Sequence, residues 1–389
     1  MSGVAGASPK SLAAQVAGDY RCVALVLQGG GALGAYQGGV VEALEEARLR
    51  PDWIAGISIG ALNAAIIAGN PPERRVERLH AFWDAICQPA PWPMSWFDPD
   101  QWPLPMQSGF SGFAAWRALV EGQPGFFHPR VPPPFVQAHA SPATTSWYDT
   151  TPLRTTLERL ADFDRINDAR AMRVSVGAVN VRSGNFAYFD NTKERLRPEH
   201  FIASGALPPG FPAVEIDGEF WWDGGVVSNT PLYAVLTERP QRDMLVFQVD
   251  LWCAQGELPR NLAGVAERSK EIQYSSRTRL MTEYMRENRR RQRLLKELMA
   301  LVPPGQRDDP AYRRAELEAR GALVNLVQLI YHDRPCEGHY RDYEFSAASM
   351  RSHWQSGLDD MRRSLAQPRW LDVPSPEQAF VTHDVHRQD

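Results

Sequence analysis

Ser58 stands in Gly56-Ile57-Ser58-Ile59-Gly60, between the apolar runs Trp53-Ile54-Ala55 and Ala61 to Ala68. The pattern predicts a strand that turns sharply into a helix with a serine at the bend. Gly56 and Gly60 remove the side chains that would collide in so tight a turn, and the hydroxyl is left protruding. It would sit at a helix N-terminus, where unpaired N–H groups and the helix dipole favour negative charge developing beside it. The chemistry this permits is nucleophilic attack. The other reading is a small-residue turn of any α/β protein, and further residues must decide between the two.

The first such stretch is Gln28-Gly29-Gly30-Gly31-Ala32-Leu33-Gly34, which follows the apolar run Arg21 to Leu27. Gly29, Gly31 and Gly34 satisfy G-x-G-x-x-G, so a dinucleotide site has to be weighed. That fold wants an acidic residue closing the second strand to hold a ribose. Asp52 instead precedes the second strand, which ends in the serine turn. In parallel sheets the loops at the carboxyl ends of neighbouring strands converge, so the glycine loop is predicted to face Ser58. Its N–H groups, at Gly29, Gly30, Gly31 and Ala32, are then candidate oxyanion donors, each worth about 3 kcal/mol to a transition state. The second stretch is Asp223-Gly224-Gly225, which is usually just a turn. Here Asn229 and Pro231 follow closely and Met244 to Leu251 supplies another strand. Asp223 therefore belongs to the strand-end loops where catalytic groups collect.

The elements that must hold these residues can be read in order. Val23 to Leu27 is a continuous apolar run, as expected of a strand covered on both faces. Ala35, Val40, Val41, Leu44 and Ala47 recur at helical spacing, and a further helix is predicted over 73–88. Between about 89 and 147 lies an insertion in which Trp92, Trp96, Trp102, Phe110, Phe113, Trp116, Phe126, Phe127 and Phe135 alternate with prolines. So many prolines predict no long regular element, and the aromatics predict a packed cap, with a lid or lipid-contacting surface as the alternative. Hairpins follow, with arms Met172 to Val181 and Phe186 to Phe189, then Val214 to Ile216 and Phe220 to Trp222, the second turning at Asp217-Gly218. Residues 262–300 read as one long helix with ten Lys or Arg against four Glu between Arg268 and Glu297. A solvated face is one explanation of that charge, and attraction to an anionic membrane is the other. A helix over 310–320, a strand from Val324 to Tyr331 and a helix opening at Ser346 complete the chain.

Composition bounds the function classes. The 389 residues are 43% hydrophobic with a formal net charge of −4, which suits a globular chain and gives no sign of nucleic-acid binding. Cys22, Cys87, Cys253 and Cys336 are scattered singly, so neither a disulfide framework nor a zinc cluster is suggested. A reducing, cytoplasmic compartment is expected. Residues 1–20 lack the apolar core of a signal peptide and read as a loose, flexible tail. The longest apolar stretch, Ile54 to Ala68, is too short to span a bilayer, so any membrane contact is expected to be peripheral.

With the three motifs in hand, the sequence resembles the patatin-like phospholipases. The resemblance covers about residues 21–251. It lies in the order and spacing of the Gly29–Gly34 loop, the Ser58 turn and Asp223-Gly224-Gly225, with support from Ala203-Ser204, Pro208, Phe211, Asn229 and Pro231. Residues 252–389 look like the mainly helical C-terminal extension of a bacterial subgroup, whose role, including docking a partner or a second copy as a homo-oligomer, is open. What the resemblance implies is a three-layer α/β/α fold with a mostly parallel central sheet, and a Ser-Asp dyad hydrolysing lipid acyl esters without calcium or any other cofactor. Ser58 would be the nucleophile and Asp223 the general base, with no histidine taking part. Many members carry Arg or Lys where this chain has Leu33, which weakens the inference to phospholipid specifically. Two rivals are an α/β-hydrolase with a Ser-His-Asp triad and an idle lipid-binding scaffold. The first usually places its serine turn after several strands, whereas Ser58 follows one.

Overall fold

Alternation along the first strand sets the architecture. In β1 (Cys22–Leu27) the side chains of Val23, Leu25 and Leu27 enter one apolar cluster, and those of Cys22, Ala24 and Val26 enter another. A strand buried on both faces needs a layer on each side, and the computed structural model shows helices on both. It describes residues 9–88, 102–136, 141–238, 241–276, 278–319, 321–332, 337–375 and 378–386.

The strands that join β1 are β2 (Trp53–Gly56), β5 (Arg173–Asn180), β6 (Phe186–Asp190), β7 (Val214–Ile216), β8 (Glu219–Asp223), β9 (Met244–Asp250), β10 (Val324–Ile330) and β11 (Phe380–Asp384). Among the described residues they form a nine-stranded sheet in the order β11-β10-β9-β1-β2-β5-β8-β7, with β6 also paired to β5. From β11 through β5 every neighbouring pair is parallel. The short strands β3 (His128–Pro129) and β4 (Tyr148–Asp149) pair separately.

The larger cluster is covered by α2 (Ala35–Glu46), α3 (Ile59–Ala68), α4 (Pro72–Ile86) and α13 (Ala347–Leu365). On the other face lie α9 (Leu232–Thr237) and α11 (Thr278–Ala300). The two helices α2 and α13 cross backbone to backbone. A Cβ at Gly39 would collide with the Trp354 carbonyl, and one at Gly357 with the Tyr36 carbonyl. The remaining helices are α1 (Pro9–Asp19), α5 (Leu104–Glu121), α6 (Thr151–Leu160), α7 (Phe163–Ile166), α8 (Pro198–Ser204), α10 (Leu262–Tyr274) and α12 (Pro310–Ala319). No helix among the described residues is long and apolar enough to cross a membrane.

Four expectations need correction. The loose tail is helical from Pro9, because Leu12, Val16 and Tyr20 recur at four-residue spacing and bury themselves in the main cluster. The proline-rich insertion contains the 18-residue α5: Pro103 and Pro105 stand at its start, where a missing N–H costs nothing. Trp92 and Trp96 lie outside the described residues. The long basic helix is two helices, α10 and α11, with α10 ending at Tyr274 and Ser275 in extended backbone. Finally, the C-terminal segment is rich in helix but is no appendage. β10 pairs with β9 along its whole length and β11 with β10, so the division at 251 runs through one sheet.

Candidate active site

Ser58 occupies the bend between β2 and α3 with φ 54° and ψ −126°, backbone that a residue with a Cβ enters only under strain. The flanking glycines make room for it: a Cβ at Gly56 would strike the Gly60 carbonyl, and one at Gly60 the Leu27 carbonyl. The Ser58 N–H donates to Ser204 Oγ at 3.1 Å, and that hydroxyl donates onward to the Gly177 carbonyl at 2.7 Å. The bend is thereby fixed to β5.

Sheet register brings Asp223 to the serine. The parallel pairing of β2 with β5 stops at Gly56 opposite Val176. β6 occupies the other edge of β5 across residues 175–179, so the edge beyond β2 is open, and β8 takes it with Asp223 opposite Ala178. Asp223 Oδ1 accepts a hydrogen bond from the Gly225 N–H at 2.7 Å, and Asp223 and Ser58 line the same cleft. Asp223 is 1% exposed. Burial pushes its pKa up to about 7, against the opposing pull of the Ser58 hydroxyl and the Gly225 N–H. Gly224 packs on the Gly177 carbonyl, and Gly34 on the Ile59 side chain, each where a Cβ would be crowded.

The glycine loop closes the third side. A Cβ at Gly29 would collide with Asn229 Oδ1 and lie 2.9 Å from Ser58 Cβ, so the loop touches the serine only because it lacks side chains. Gly31 has φ +56°, and a Cβ there would strike the Asp342 carbonyl. The expectation of four equivalent donors needs correction. The Gly29 N–H is taken by the Asn229 carbonyl at 3.2 Å, while Asn229 Nδ2 donates back to the Gly29 carbonyl at 2.9 Å. Ala32 is buried and does not line the cleft. Gly30 and Gly31 do line it beside Ser58, and their N–H groups form no hydrogen bond among the described residues. Ile59, the first residue of α3, lines it as well. Its N–H has no partner within the helix, a donor that the motif reading missed although its place after the serine marks it.

Behind the loop Gln28 is fully buried and makes four side-chain hydrogen bonds. Its Oε1 accepts from the N–H groups of Leu251 (2.6 Å) and Trp252 (3.0 Å), and its Nε2 donates to Thr230 Oγ1 (2.8 Å) and the Tyr274 carbonyl (3.0 Å). Asn229 Nδ2 donates to the same Tyr274 carbonyl at 2.9 Å. Nothing in the local sequence around Gln28 marks it as a hub, because its partners come from distant segments.

The cleft has a volume of about 280 Å³, with a wall of Leu62, Leu119, Phe126, Phe127, Phe211 and Phe345. Tyr274, Asp342, Tyr343 and Phe345 come from the C-terminal segment. Asp342 is held by Lys270 at 2.7 Å. Among the described residues no histidine and no basic side chain lines the cleft, and Leu33 is buried away from it. His353, the fully buried histidine of α13, pairs with Glu337 at 2.8 Å instead.

A family model described as "Patatin-like phospholipase" matches residues 25–236, and one described as "Patatin phospholipase" matches residues 272–377. Lysophospholipase nte1 of Aspergillus terreus is 58% identical over 48 residues, which are 12% of this chain and 3% of that protein. Among solved structures, VipD from Legionella pneumophila aligns over 88% of this chain and 66% of its own, with 14% identity and a TM-score of 0.38. Human GIVD cytosolic phospholipase A2 aligns over 93% of this chain and 63% of its own, with 12% identity and a TM-score of 0.38. The chain thus spans a small fraction of the fungal relative and under two thirds of either solved chain.

Proposed function

The chain belongs to the patatin-like phospholipase family, and on that premise we propose that it is a serine lipid acyl hydrolase working through Ser58 and Asp223. The observation that carries the reading is a buried carboxylate, Asp223, in the same cleft as the strained Ser58 turn, its pKa raised by burial to about 7 while the Ser58 hydroxyl favours its ionised form. A base tuned near the operating pH combines the right protonation state with useful proton affinity.

In this reading Ser58 Oγ attacks the acyl carbonyl carbon as its proton passes to Asp223. The carbonyl oxygen becomes an oxyanion, which the N–H groups of Gly30, Gly31 and Ile59 are placed to stabilise. Collapse of the tetrahedral intermediate breaks the ester C–O bond, and the leaving alkoxide takes the proton from Asp223. Water then attacks the acyl-serine with Asp223 again as base, releasing the fatty acid. Base and oxyanion donors all come from the chain, so the reaction as written calls on no calcium. The hydrocarbon wall suits an acyl chain, and the lack of a cationic side chain along it among the described residues favours ester groups without an anionic head inside the cleft. Tyr274 and Asp342 make residues 252–389 part of the catalytic unit.

The test is hydrolysis of a panel of phospholipid, lysophospholipid, neutral lipid, thioester and polyester, products identified by mass, beside fluorophosphonate labelling. Wild type should hydrolyse at least one class and label at Ser58. Ser58→Ala should do neither while keeping its melting temperature. Hydrolysis at the wild-type rate by the folded variant overturns the assignment, and a wild type that neither labels nor hydrolyses leaves the scaffold reading.

A further inference from the structure

The sheet carries a second cavity at its other end. The first residues of five adjacent strands line it: Cys22, Trp53, Arg173, Met244 and Val324. It has a volume of about 370 Å³ and is roofed by Val235 and Leu236 of α9 and by Met285 and Arg289 of α11. Ser58 and Gly30 lie beyond the opposite ends of the same strands, so the two cavities are separate.

Its charge is out of balance. Five arginines line it, Arg21, Arg170, Arg173, Arg242 and Arg289, against two carboxylates, Asp52 and Glu238. Arg173 is saturated by Asp190 at 2.8 Å and Glu238 at 3.0 Å and lies over the Trp53 ring. Arg170 is paired with Asp168 in its own turn. Asp52 accepts the Val23 N–H at 2.8 Å, and the nearby Asp243 accepts the Leu323 N–H at 2.7 Å. Arg21, Arg242 and Arg289 form no ion pair among the described residues. Arg289 is the most constrained of the three. Its Nη1 donates to Gln292 Oε1 at 3.1 Å, and its Nη2 is buried without a hydrogen-bond partner. A Cβ at Gly321 would collide with this guanidinium, so the chain leaves space for it. Asp243 pulls on this guanidinium through space without forming an ion pair with it, and a half-buried guanidinium so incompletely compensated is costly, a cost that an anion supplied from outside removes.

We propose that this cavity is a binding site for a phosphomonoester group, held by Arg21, Arg242 and Arg289 and carried by a small soluble molecule or by a lipid headgroup. Guanidinium forks match phosphate oxygens in paired hydrogen bonds, and three of them can neutralise a dianion that a carboxylate would underuse. Beside them Val235, Leu236 and Met285 offer an apolar surface for whatever bears the phosphate.

The experiment titrates the full chain with inorganic phosphate and with glycerol 3-phosphate at ionic strength fixed by NaCl, reading calorimetric binding and melting temperature. A parallel arm measures binding to phosphatidylcholine vesicles with and without phosphatidic acid. Arg21→Gln with Arg242→Gln removes two exposed charges, and affinity should fall about tenfold or more per arginine. Arg289→Gln should abolish the ligand-induced rise in melting temperature without lowering that of the free protein. Soluble ligands binding alone identifies a metabolite, and phosphatidic acid alone a headgroup. Absence of binding in both arms overturns the proposal, as does a double variant that binds like wild type. The readout involves no turnover, so either result leaves the hydrolase assignment where it stood.

Discussion

Asp223 carries an opposition between stability and reactivity that can be measured. Its folded pKa of about 7 lies above the ordinary value, so the fold favours the protonated, uncharged carboxyl. That contribution to stability is fully present below pH about 4 and is lost as pH rises through about 7. In the proposed role of general base, by contrast, Asp223 works only when ionised. We therefore expect kcat/KM to rise through a limb near pH 7 while wild-type stability falls over the same window. Asp223→Asn, uncharged throughout, should lose at least about 100-fold in rate yet gain melting temperature relative to wild type as pH is raised from 5 to 8. Two melting curves that run parallel with pH would show that the carboxyl is not held neutral. Substituting His332, His339 or His353 by Ala should leave the rate of folded protein nearly unchanged, since no described histidine lines the cleft.

At the scale of elements, glycine again decides, but by proximity rather than by dihedral angle. Replacing a helical glycine by alanine ordinarily stabilises by about 0.5–1 kcal/mol. Gly39 lies in the middle of α2, yet its missing Cβ is where α13 passes, so we expect Gly39→Ala to destabilise by about 1–3 kcal/mol. A rise in denaturation midpoint would mean that the two helices are free to separate. What the sequence made legible follows the same division between local and distant causes. β1, the glycine loop, α2, β2, the Ser58 turn and both hairpins are specified by residues next to one another, and each forms where its pattern places it. α5 is hidden by the proline content of its region, because proline breaks a helix interior but not a helix start, where Pro103 and Pro105 stand. The partnership of β10 with β9 escaped because a strand's neighbour is chosen by the whole sheet. At the site, Ser58 and Asp223 were legible as motifs. Ser204, Gln28 and the Tyr274 carbonyl were less so, since each acts through a partner more than 20 residues away. The basic knot of α11 also divides in the structure. Arg289 turns into the cavity, whereas Arg290 and Arg291 are exposed. If α11 meets anionic lipid, Arg290→Gln with Arg291→Gln should weaken binding to phosphatidylserine vesicles roughly thirtyfold at low salt, at about 1 kcal/mol per charge. Unaltered binding would make the helix a solvated face.

For the molecule as a whole, the two ends of the chain are tied to one another. The Tyr20 hydroxyl, just after α1, donates to the Asp372 carbonyl at 2.8 Å, and Asn325 Nδ2 donates to the Tyr20 hydroxyl at 3.1 Å and to the carbonyls of Trp370 (2.7 Å) and Asp372 (2.9 Å). The sheet is threaded in the same spirit. β1, the first strand, lies between β2 and β9, and β9 in turn needs β10 to cover its far edge. An uncovered edge of seven buried residues, Met244–Asp250, would offer itself to any other chain. The wall residues Asp342 and Phe345 arrive later still. This order has a consequence on the ribosome. Ser58 is synthesised well before Tyr274 and Asp342, against which the glycine loop beside it is packed. A nascent chain long enough to display the serine is therefore expected to be chemically silent, and reactivity at Ser58 should appear only once synthesis has passed Phe345. Ribosome-arrested chains ending before residue 340 should resist fluorophosphonate, while those in which residues up to 386 have cleared the ribosome should react.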